Sequence, residues 1–197
     1  GAPHVLAFAA RHPDRVQACA IGDGAAPLTD DEVGQQIDLN VAGDGLARMG
    51  RTDELRVLFD EARTSILADT VAGFGEIMDT APTADQEIMA DPAWQAAFAR
   101  GIREALEPGV DGWLDEALAI NGDWHDVDLA AVTSTVTWWH SDADRNCPFS
   151  AAQRLVARLP DARLIVLTGA GHFIADDGER QILDELLARA RPVVAVS

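Results

Sequence analysis

Lysine is absent from the 197 residues, so all fifteen basic side chains are arginine and no lysine can act as a base or form a Schiff base. Cysteine is scarce: Cys19 and Cys147 have neither metal-site spacing nor a disulfide framework, and both read as small buried residues suited to a reducing compartment. No apolar run is long enough to span a bilayer, and there is no signal-peptide pattern, internal repeat or low-complexity tract. A cytoplasmic location is therefore expected. Positive charge is outweighed throughout, with a formal net charge of -18. That balance excludes nucleic acid and anionic membranes as expected partners and leaves a small-molecule substrate. The length is enough to bury a real core, as one domain or one domain with an insertion.

What is present centres on Leu164–His172, LIVLTGAGH. A short apolar run with β-branched Ile165 and Val166 predicts a buried strand, and Gly169 and Gly171 predict an abrupt turn that lifts His172 off the strand end. A histidine held there is well placed for proton transfer, although a lone histidine is as readily structural. Upstream, TSTVTWWH predicts a strand over Val136–His140, ending in a polar turn from Ser141 to Asp144. A helix over Ser150–Leu159, with Ser150 as its N-cap, joins the two strands into a parallel βαβ unit. Both strands then end on one sheet edge, and neighbouring strands lie roughly 4.8 Å apart. A carboxylate from the first turn can meet an imidazole from the second.

SDADRNCP followed by LIVLTGAGHF resembles the carboxy-terminal half of an α/β-hydrolase. The resemblance implies Asp144 as the acid, Pro148 as the close of its turn and His172 as the base, with Ser141 and Cys147 as mild departures from the usual glycine and valine. Asp142 is the competing acid, and motif position favours Asp144. The start of the chain is similar to the segment just after the family's nucleophile elbow. GAPHVLAFAARHPDRV reads as a helix, apolar on most sides and so expected to be buried, with Pro3 in its first turn. His12-Pro13-Asp14 ends it, and Val16–Ile21 reads as a strand. By the resemblance, Gly1 closes the elbow and the serine precedes it. None of Ser65, Ser134, Ser141, Ser150 or Ser197 has a strand–turn–helix context. The chain as given is then expected to be inactive.

Between about Leu28 and Asn121, helical periodicity dominates. Leu55, Leu58, Phe59 and Ala62 mark one helix. Trp94, Phe98, Ile102 and Leu106 mark another, and Val110, Trp113, Leu114, Ala117 and Leu118 a third beyond the Pro108-Gly109 break. Alone, this says helical bundle, with its aromatic stripes as core. The resemblance implies a cap. The expected fold class is α/β: a partial α/β-hydrolase fold holding the last three strands of a mostly parallel sheet, with a helical cap insertion. The hydrolase core covers 1–27 and 122–197, and the cap covers 28–121.

The implied activity is Ser-His-Asp hydrolysis of a carboxylic ester or similar acyl substrate, without a cofactor. Dehalogenases, epoxide hydrolases, lyases and cofactor-free haloperoxidases share the plan. A non-catalytic fragment, or a subunit completing its sheet with another chain, is the reading from a different class. An unpaired sheet edge would favour self-association. A metal site built on His125, His140, Asp142 and His172 lacks recognisable zinc spacing, so none is expected. His4 and His12 read as helix-end or surface residues, and Asp176 and Asp177 as caps of the last helix.

Overall fold

In the computed structural model, the described residues are 1–122, 124 and 126–189, with the side chains of Glu76, Ile77, Asp176 and Asp177 left aside. His125, Ser197 and the capping side chains Asp176 and Asp177 thus lie outside the description. The chain opens with α1 (Ala2–Arg11) and β1 (Ala18–Gly22). Among the described residues seven α-helices and a short 3-10 turn (Leu129–Ala131) follow before the next strand: α2 (Asp30–Val33), α3 (Asp38–Arg48), α4 (Thr52–Ala68), α5 (Thr70–Ile77), α6 (Thr83–Met89), α7 (Pro92–Leu106) and α8 (Asp111–Ile120). The chain then returns through β2 (Thr135–Ser141), α9 (Phe149–Val156), β3 (Ala162–Leu167) and α10 (Asp176–Arg189).

The three strands form one parallel sheet in the order β1-β2-β3. Register pairs Ile21 with Trp138 and Trp138 with Leu164, so alternate residues of all three strands share a face. On one face Cys19, Ile21, Val136 and Trp138 pack with Leu6 and Ala9 of α1 and with Ala152 and Leu155 of α9. On the other, α10 lies over β1 and β2. Helices on both faces are what a parallel sheet requires, because its crossovers must run over the sheet.

Position in the sheet corrects two burial expectations. β3 is an edge strand among the described residues and is only half-buried, with Val166 45% exposed. On α1, Leu6 is fully buried, but Val5 and Phe8 face outward. One stripe of that helix meets the sheet rather than its whole circumference.

The helical segment begins with a capping box. Thr29 Oγ1 accepts from the Glu32 N–H, and Glu32 Oε2 accepts from the Thr29 N–H at 2.8 Å. Glu32 then reaches across to α9, where Oε1 accepts from Ser150 Oγ at 2.5 Å and pairs with Arg154. Ser150 is therefore not the N-cap of α9. Pro148 occupies that position, and the Ser150 hydroxyl serves the carboxylate across the joint instead. Within the segment, Phe59 stacks on Trp113 at 4.1 Å in a core with Leu55, Val110 and Leu114. No helix among the described residues is long and apolar enough to cross a membrane.

Candidate functional site

All three strands end on the same edge, and each hands a chemically active side chain to the turn beyond it. β1 is followed by Asp23, β2 by Asp142 and Asp144, and β3 by His172. Asp23 has φ 40°, a left-handed conformation that aspartate tolerates better than most side chains. Gly169 has φ 77°, which lets the chain reverse after β3 and bring His172 back over the sheet edge.

His172 Nδ1–H donates to Asp144 Oδ2 at 3.0 Å. The other oxygen of Asp144 accepts the N–H groups of Asn146 at 2.7 Å and Cys147 at 2.9 Å, so its own turn fixes the carboxylate independently of the histidine. Asp142, two residues earlier, points elsewhere and accepts the Gly169 N–H at 2.7 Å, supporting the turn of the β3 loop. The structure thus brings together Asp144 and His172. Burial pulls the His172 pKa down, but the hydrogen bond and charge of Asp144, with the charges of Asp23 and Asp85, outweigh it and hold the imidazole above its ordinary value.

Beneath this pair lies a buried histidine. Trp138 Nε1–H donates to His140 Nδ1 at 3.0 Å. An indole nitrogen can only donate, so the His140 proton sits on Nε2, where it meets the Cys147 carbonyl at 2.7 Å. Desolvation lowers the pKa of this ring against the opposing pull of Cys147 and Asp144, and His140 is neutral. Its Nε2 is 3.7 Å from Asp144 Oδ2. Asp23 closes the network from β1, its Oδ1 accepting the Ser141 N–H at 2.7 Å and its Oδ2 the Ser141 hydroxyl at 3.0 Å. Burial pushes the Asp23 pKa up, opposed by those two hydrogen bonds and reinforced by the charge of Asp144, to about 7.

Two sets of metal-ligating side chains gather here, Asp23 with His140 and Asp144, and Asp144 with Cys147 and His172. Both His140 nitrogens are already engaged, which leaves the first set without an imidazole ligand. In the second, burial and then the charges of Asp144, Asp23 and Asp44 push the Cys147 thiol well above its ordinary value, so it is held protonated. Of the quartet weighed from the sequence, Asp142 lies in neither set among the described residues, and His125 is outside them.

His172 opens onto a cavity of about 660 Å³ between the sheet edge and the helical segment. Its walls are chiefly apolar, with Ile37, Phe59, Phe74, Met78, Trp113 and Phe173 prominent. The polar lining is Gln36, Asn40, Asp44, Glu116, Asn121, Asn146 and His172, and no arginine among the described residues faces it. No serine among the described residues bonds to the His172 ring. The hydroxyl of Ser141 is on Asp23, that of Ser150 on Glu32, and that of Ser134 shares a 3.6 Å hydrogen bond with the Cys19 thiol.

Sequence reasoning missed three members of this site. Asp23 stands in GDGAAP, whose glycines and proline mark a loop and nothing more. His140 had a usable signal, because residues i and i+2 of a strand share a face and Trp138 therefore sits beside it. Asp85, on α6, accepts the N–H groups of His172 at 3.0 Å and Phe173 at 2.8 Å, a contact across the chain that no local pattern announces.

No protein-family model matches the chain, and no curated protein does. Solved structures do match in fold. A bromoperoxidase from Bacillus anthracis superposes with a TM-score of 0.60 at 15% identity, covering 95% of this chain and 63% of its own. A thermophilic esterase from Thermogutta terrifontis gives 0.55 at 17%, covering 95% and 61%. An acetylester hydrolase from Corynebacterium glutamicum gives 0.54 at 18%, covering 95% and 59%. The chain spans about three-fifths of the length of these structures.

Proposed function

We propose that this chain, which has a partial α/β-hydrolase fold, carries the acid and base of a Ser-His-Asp hydrolase acting on uncharged carboxylic esters, its nucleophile lying outside these 197 residues. The observation that carries this reading is the 3.0 Å Asp144–His172 hydrogen bond at the wall of a large apolar cavity. With Nδ1–H held by Asp144, the other ring nitrogen is free to accept a proton. His172 takes it from the attacking serine hydroxyl as the oxygen bonds to the ester carbonyl carbon, then returns it to the departing alkoxide. Water repeats the sequence on the acyl-enzyme. Asp144 stays ionised throughout and stabilises the imidazolium. The fold alone does not choose among reactions, and the matched structures themselves include esterases and a bromoperoxidase.

The cavity narrows the substrate. Among the described residues it holds Asp44 and Glu116 but, apart from the imidazole of His172, no basic side chain to balance a substrate carboxylate, and lysine is absent from the chain. The full-length enzyme should therefore turn over nitrophenyl esters of neutral acyl chains at least about tenfold better, in kcat/KM, than esters ending in a carboxylate. Preference for the anionic ester would overturn the neutral-substrate reading. The 197-residue chain should show no turnover above its own His172→Ala variant, whereas saturable hydrolysis that depends on His172 would place the nucleophile within it. If the full-length protein hydrolyses neither ester class, the non-catalytic reading gains.

We assign residues 28–121 the role of a cap over the cavity. Trp113 lines the cavity and stacks on Phe59, so Trp113→Ala in the full-length enzyme should change KM and acyl preference more than turnover of a minimal acetyl ester. Equal loss on every ester by a well-folded variant would remove the cap from substrate choice.

A further inference from the structure

We infer that Asp85 is a positioning residue: from the helical segment it clamps the backbone that carries His172, so that the Asp144–His172 pair forms only when α6 is docked. The inference rests on the proposed acid–base reading of that pair. Asp85 is fully buried, though it is a carboxylate on a seven-residue helix of an otherwise acidic, water-facing segment. A buried carboxylate must be satisfied, and its two oxygens are each met by one N–H, from His172 and Phe173. These consecutive amides are the backbone on either side of the His172 Cα–C bond, so holding both fixes where the imidazole is presented.

Two further observations show that the join is built for this contact. A Cβ on Gly171 would lie 2.3 Å from the Asp85 carboxyl carbon, so only glycine at that position lets the carboxylate approach. Phe173, the next residue after the base, turns its ring into the helical segment, 4.9 Å from Trp94 and 6.1 Å from Phe98 between centroids. The loop of the base is thus anchored to the helices by hydrogen bonds and by ring packing at once. The charged and titratable groups around the imidazole are Asp144 and Asp23 from the sheet edge, Asp85 from α6, and neutral His140 and Cys147 beneath.

The test uses the intact 197-residue chain and needs no activity. Histidine side chains are labelled with ¹⁵N, His172 is assigned by its loss in His172→Gln, and two signals are followed: its Nδ1 proton and its titration. Asp144→Asn should abolish the Nδ1–H resonance and lower the midpoint. Asp85→Ala should do the same, and should speed hydrogen exchange of the His172 and Phe173 amides about ten- to a hundredfold. Gly171→Ala, which pushes the carboxylate out from the other side, should reproduce Asp85→Ala, and it provides a second test should Asp85→Ala fail to fold.

The double variant decides between positioning and simple charge. If Asp85 acts through the pair, Asp144→Asn has little further effect once Asp85 is alanine. If the two midpoint changes add in full, or if the Nδ1–H resonance survives in both Asp85→Ala and Gly171→Ala, Asp85 is no positioning residue. If instead Asp144→Asn alone leaves His172 unchanged, the acid–base pair itself is wrong.

Discussion

In a longer protein that supplies the serine of the proposed relay, Asp144→Asn is expected to lower kcat by about 10⁴, the size of that exchange in a serine-protease relay, while Asp142→Asn lowers it by about tenfold at most. The two side chains are two residues apart and hold different partners. Asp144 Oδ2 holds the proton on His172 Nδ1. An asparagine amide there would donate instead of accept, which drives the imidazole to the tautomer that cannot take the serine proton. Asp142 Oδ1 holds the Gly169 amide, and asparagine keeps an oxygen for that purpose. His172→Ala should remove nearly all activity, and combining it with Asp144→Asn should add little, because either change disables the same relay. Kinetics showing Asp142→Asn as the crippling change would reassign the acid.

The second large effect is on stability. Asp23 titrates at about 7 in the folded chain against an ordinary 3.8, so the native state holds a proton that the unfolded state has released. Raising the pH through that window withdraws stability: the group's full contribution is present below about 3.8, falls progressively, and is gone above 7. Asp23→Asn, a neutral side chain that can still accept the Ser141 N–H, should escape this loss. Relative to the parent it should gain stability between pH 4 and pH 8, by up to about 4 kcal/mol for a shift of some three units. Urea unfolding of both proteins across that range measures it. A parent-to-variant difference that does not change with pH would mean Asp23 is ionised in the folded state, and its fit beside Asp144 would need another explanation.

Much of the fold was legible because it is local. Apolar runs bounded by glycine, proline or a polar turn located the three strands to within two residues, and helical spacing found α4, α7 and α8. The Asp144–His172 meeting was legible because a βαβ unit must return both strand ends to one edge. Burial was less legible where it depends on what lies opposite. Phe8 and Val166 have core chemistry, but they sit on a helix face and an edge strand that the described chain leaves open. Ser150 looked like a cap because hydroxyls satisfy helix ends. Glu32, 118 residues earlier in the sequence, claimed it instead. Asp85 shows the same limit more sharply: nothing in TADQE marks one acid for burial, and only the amides of His172 and Phe173 make its burial tolerable.

Arg145, next to the acid, bears on how the molecule responds to salt. Its guanidinium donates to three backbone carbonyls, those of Gln35, Gln36 and Thr80, and so stitches the turn after β2 to two parts of the helical segment. Dissolved ions screen charge from charge over distances near 10 Å at 0.1 M, but they do little to a hydrogen bond at 2.7 Å onto an uncharged carbonyl. Exposed pairs such as Arg56–Asp111 loosen as ionic strength rises. The seam beside the acid does not. In a chain of net charge -18, whose self-repulsion is strongest in dilute buffer, added salt therefore relieves the whole without unpicking the part that holds the acid turn in place.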